Sequence, residues 1–116
     1  MTLISKTEIR KVKGISSDEI QRVYDYLQGA VYCWCKNNPD KWFSARDFLG
    51  GDNFDWTGTP MIVLFNKHIN KGKTTENAIS DAGKDAGWIL KKVIDDDQRN
   101  FETKKENLIR KYRWKK

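Results

Sequence analysis

Apolar positions change their period along this 116-residue chain. Ile20, Val23, Tyr24, Leu27, Ala30, Val31 and Trp34 recur every three or four residues, the spacing of one helix face. "SSDE" at 16–19 places a serine at the cap and a glutamate three residues on, a capping box. Asn37, Asn38 and Pro39 close the run. The pattern predicts a helix over residues 17–37 whose apolar stripe is core.

The middle of the chain is more broken. "KWF" at 41–43 reads as a short strand, and Ser44 caps a short helix at 45–49 that Gly50 and Gly51 stop. Residues 52–58 form a loop whose aromatics, Phe54 and Trp56, anchor it to the core. Thr59 and Pro60 open the next helix, with Met61, Ile62, Phe65 and Ile69 on one face. Asn70, Lys71 and Gly72 end it. Thr74 and Thr75 cap a further segment, 76–82.

"DAGKDAGWILKK", 81–92, has two readings. A glycine inside a helix costs about 1 kcal/mol relative to alanine. A turn at Gly83 avoids that cost, because glycine accepts left-handed dihedrals. The second helix would then carry Ala86, Ile89, Leu90, Val93 and Ile94 inward. It would end near Ile94, since Asp95, Asp96 and Asp97 oppose the dipole at a C-terminus. Alternatively, one helix uses Gly83 and Gly87 to approach a neighbouring helix closely. We expect two helices.

After Asn100 the period falls to two. Residues 101–104 and 108–115 flank a turn-like Lys105, Glu106 and Asn107. Leu108, Arg110, Tyr112 and Trp114 share one face; Ile109, Lys111, Arg113 and Lys115 share the other. The pattern predicts a β-hairpin with one docking face and one basic face.

Composition narrows the class. A chain of this size is one domain and buries roughly two thirds of its unfolded surface. Five Trp and five Phe supply a core. Residues 1–15 read as a loosely ordered N-terminal arm, and 16–116 as a single domain. There is no apolar run of membrane-spanning length and no signal peptide, so a cytoplasmic protein is expected. The net charge of +6 is unevenly placed: residues 1–98 hold 14 basic and 14 acidic side chains, and residues 99–116 hold eight and two. Positive charge gathered in one segment favours a polyanionic partner over a merely solubilising tail.

Candidate chemistry is sparse. Cys33 and Cys35 point to different sides of a helix and read as reduced thiols. With His68 they fall short of a zinc set. His68 itself reads as a helix cap or a surface residue. No cofactor, metal site or catalytic residue is expected, and the chain does not read as an enzyme.

Three stretches, "KWFSARDFLGG", "AISDAGKDAGWILKKVI" and "RNFETKKENLIRKYRWKK", follow the order strand with short helix, helices, hairpin. Over residues 16–116 this order resembles winged helix-turn-helix domains. The resemblance implies an α+β fold: a small winged-helix-like domain, mainly helical, with a short strand and a C-terminal β-hairpin. It also implies binding of double-stranded DNA, with Lys84, Trp88, Lys91 and Lys92 on the exposed face of a reading helix. Lys104, Lys105, Lys111 and Arg113 would be wing contacts. Two features depart from the pattern. Residues 52–72 insert an extra element, and Asp81, Asp85 and the 95–97 acids would repel DNA. The alternatives are a protein-interaction module on the same fold, anchored by exposed Trp56, Trp88 and Trp114, and RNA binding by aromatic stacking.

Overall fold

The computed structural model describes residues 9–48 and 55–115. Helix α1 (Ser17–Asn37) starts at the expected capping box: Ser16 Oγ accepts from the Glu19 N–H, and Glu19 Oε1 accepts from the Ser16 N–H. Its inward stripe is Val23, Leu27, Val31 and Cys35, one residue per turn. Val12, from the arm, is also buried; residues 1–8 of that arm lie outside the described residues.

Phe43 forms a single antiparallel bridge to Tyr112, with both N–H···O=C bonds at 2.8 Å. The short strand expected at 41–43 is therefore one bridging residue. Ser44 leads into α2 (Ala45–Phe48), where Asp47 Oδ2 accepts from the Ser44 N–H at 2.7 Å. The expected glycine stop and Phe54 lie outside the described residues. Trp56 is buried, as a loop anchor should be. Helix α3 (Ile62–Asn70) ends before Gly72, whose φ of +86° suits glycine.

Helix α4 (Thr75–Asp96) is capped by Thr74, whose side chain accepts from the Asn77 N–H. It runs unbroken through Gly83 and Gly87, so the expected break at Gly83 does not occur. The reason is tertiary. Ala78, Ala82, Ala86, Ile89, Leu90, Val93 and Ile94 make one continuous buried row. A turn at Gly83 would rotate its two halves out of line. Burying each large member contributes about 1.5–3 kcal/mol, which outweighs about 2 kcal/mol for two glycines. The helix also continues past Ile94, where two of the terminal acids have hydrogen-bond donors, some of them from α1. Asp96 accepts from Tyr24 Oη and Lys92 Nζ, both at 2.9 Å. Asp97 accepts from Arg99 and Gln28.

Strands β1 (Phe101–Glu106) and β2 (Ile109–Trp114) form the hairpin, with Phe101 opposite Trp114 and Lys105 opposite Arg110. Its turn is Asn107-Leu108, later in the chain than expected, with φ of +52° and +66°. Positive φ at both residues is the requirement of a two-residue type I′ turn, which commonly places glycine second. Leucine there costs about 1–2 kcal/mol in backbone strain. The later turn also moves Leu108 off the docking face, to 88% exposure. Phe101 and Tyr112 are buried and meet Phe43, whose ring lies 6.3 Å and 5.9 Å from theirs. This aromatic cluster docks the hairpin on the helices. Together the described residues make a mixed helix-and-strand fold, in which no helix is long and apolar enough to cross a membrane.

Candidate nucleic-acid interface

The doubled "DAGK/DAGW" motif writes four parallel stripes along α4, because residues four apart share a face. Ala82 and Ala86 form the core stripe, fully buried. Asp81 and Asp85 form the stripe toward α3. Asp85 Oδ2 accepts from Lys67 Nζ and from His68 Nε2, both at 2.7 Å. Asp81 accepts from Lys73 Nζ at 2.6 Å, and that bond, with the charges around it, holds its carboxyl below the usual range. An ammonium group only donates, so Lys73 at 3.1 Å makes His68 Nδ1 an acceptor and puts the ring proton on Nε2. His68 is accordingly a buried helix–helix linker, not the expected cap or surface residue. Two of the five aspartates thought to repel DNA are thus paired with cations: Asp85 with Lys67, and Asp81 with Lys73 and, at 3.8 Å, with Lys84 of α4 itself.

Gly83 and Gly87 form the third stripe. A Cβ added to either would meet nothing within 4 Å, so neither serves close packing against a neighbour. They instead floor an open groove of about 690 Å³ between α4, α2 and the hairpin. Among the described residues, five cations line this groove, Arg46, Lys84, Lys91, Lys105 and Arg110, against one acid, Glu76.

The eight residues expected to bind nucleic acid separate into two groups. Lys84, Trp88, Lys91 and Lys105 line the groove. Within that group Trp88 is half-buried rather than on an exposed face. It lies between Arg10, 5.0 Å from its ring centroid, and Lys91, 5.1 Å away. Lys91 is buried too. The other four lie elsewhere. Lys92 pairs with Asp96. Lys104, Lys111 and Arg113 occupy the hairpin's outer face, where Lys111 meets Glu106 at 2.8 Å and Arg113 meets Glu102 at 2.9 Å. Lys104 lies 3.4 Å from Glu106 and 4.3 Å from the Trp42 ring centroid, and Arg113 sits 4.7 Å from the same ring. The Lys111 hydrogen bond and the Lys104 charge hold the Glu106 carboxyl low. Arg46 and Arg110 were missed. Arg110 was visible in the period-two pattern as the cation alternating with Tyr112. Arg46 had no local signal.

Of the aromatics considered as exposed protein-binding anchors, Trp56 is buried, and Trp88 and Trp114 are half-buried. Among the described residues, no three His, Cys, Asp or Glu side chains gather as a metal site would require. No family model matches this chain, and neither does any curated protein or solved structure.

Proposed function

We propose that this protein is a cytoplasmic, non-enzymatic nucleic-acid-binding domain of winged-helix type that takes duplex DNA in the groove between α4 and the hairpin. One observation carries the reading: cations from α2, α4 and the hairpin converge on a groove floored by bare glycine backbone. Glycine lets a ligand backbone come close to a helix, and phosphates are the anions such a ring of Lys and Arg holds. Element order supports the same reading. In this reading helices α3 and α4, joined by residues 71–74, take the part of the helix-turn-helix, one element earlier than the sequence suggested. The Phe43–Tyr112 bridge sets a single residue of the 41–43 segment against the wing-like hairpin.

The test is anisotropy of a labelled random-sequence duplex titrated at several salt concentrations. Four phosphate contacts correspond to a log–log salt slope of about −3.6. Salt-independent binding, or none, contradicts the proposal. A second reading, an acidic amphipathic partner helix, is favoured by Ile79, Leu108 and Ile109 among the cations of the groove. It calls for affinity that follows the partner's apolar residues more than salt.

A further inference from the structure

Among the described residues, Leu108 is the most exposed large apolar side chain. It stands at the hairpin tip with left-handed backbone, where glycine is the more usual occupant. Backbone preference and solvent both oppose leucine at this position. Behind the Glu106–Ile109 pair that closes the turn, the next cross-strand pair, Lys105 and Arg110, sets one cation on each strand. These two and Leu108 line the same groove. Glu106, next to Lys105 in the chain, pairs with Lys104 and Lys111 on the outer face.

We propose that Leu108 is an apolar wedge that enters a base step of the bound duplex from the minor groove and kinks it, with Lys105 and Arg110 each holding a phosphate beside the kink. This rests on the duplex reading above. An apolar side chain flanked by cations has the chemistry the task requires. The tip replaces stacking lost between two base pairs, and the cations draw the backbone around it. A bend also brings flanking phosphates toward Arg46 and Lys84, at the α2 and α4 sides of the groove.

The test uses the full chain and a duplex of about 20 base pairs, carrying donor and acceptor dyes at its ends and 2-aminopurine at an internal step. Binding of the parent should raise energy transfer, consistent with a bend on the order of 20–90°, and should raise 2-aminopurine emission severalfold. Leu108→Met should retain both signals. Leu108→Gly should melt no lower than the parent, because glycine suits this backbone, and should bind the duplex with both signals lost. If Leu108→Gly gives the parent's signals, the wedge is overturned and the duplex reading stands. If the parent binds no duplex, both are overturned together.

Discussion

The hairpin has two cationic faces of opposite character. On the outer face Lys104, Lys111 and Arg113 are matched by Glu102 and Glu106 and laid against Trp42. On the inner face, toward the tip, Lys105 and Arg110 join Lys84 and Arg46 around a groove whose described lining holds a single acid. The outer face holds more cations by sequence alternation, yet three of them lie beside carboxylates. Cation count along a strand is thus a poor guide to charge in space, because register sets Lys104, Lys111 and Arg113 beside Glu106 and Glu102.

Three changes probe what holds these faces in place, and a fourth sets the background. Tyr112→Ala should have the largest effect, about 3–5 kcal/mol, because this ring is buried and bridges Phe43. Denaturant melts should show the loss, and both faces should go with it. Asp85→Ala should cost about 3 kcal/mol, since it strands the buried Lys67 ammonium beside His68. It should not alter the hairpin's cross-strand contacts, which amide shifts would report. Gly83→Ala with Gly87→Ala should raise stability by about 1 kcal/mol each, as the added methyls meet no atom. The same pair should weaken duplex binding by filling the groove floor. A double variant that is stabler and binds as well as the parent would remove the glycines from the interface.

The smallest effect is expected at Asp97, which does not line the groove. Burial acts to raise its carboxyl, but hydrogen bonds from Arg99 and Gln28 outweigh burial and hold it below the usual range. A depressed folded value stabilises above the unfolded value and is lost as pH falls through the folded one. Asp97→Asn should therefore cost about 1 kcal/mol at pH 7. In thermal melts the gap to the parent should narrow below about pH 4.

The sequence was most legible where the determinants are local. The capping box and the 3.6-residue stripe located α1 at residues 17–37, and the period-two run after Asn100 located the hairpin and its faces. Reading failed where the deciding partner is distant. Gly83 looked like a break because its cost is local, whereas the buried row that keeps α4 straight packs on distant elements, and Asp85 adds ties to Lys67 and His68, 18 and 17 residues away. Pairing of the outer cations depended on register. With the turn at Asn107-Leu108, Glu102 falls opposite Arg113, a pairing that the earlier turn centre did not provide.

The most direct test of the contrast is the salt dependence of duplex binding for two double variants, each with a melting curve. Lys105→Gln with Arg110→Gln should weaken binding and lower the magnitude of the log–log slope by about 2. Lys111→Gln with Arg113→Gln should leave the slope close to the parent's, because those cations already face glutamates. A slope lowered by the outer pair and unchanged by the groove pair would contradict the assignment of the groove as the phosphate-binding surface.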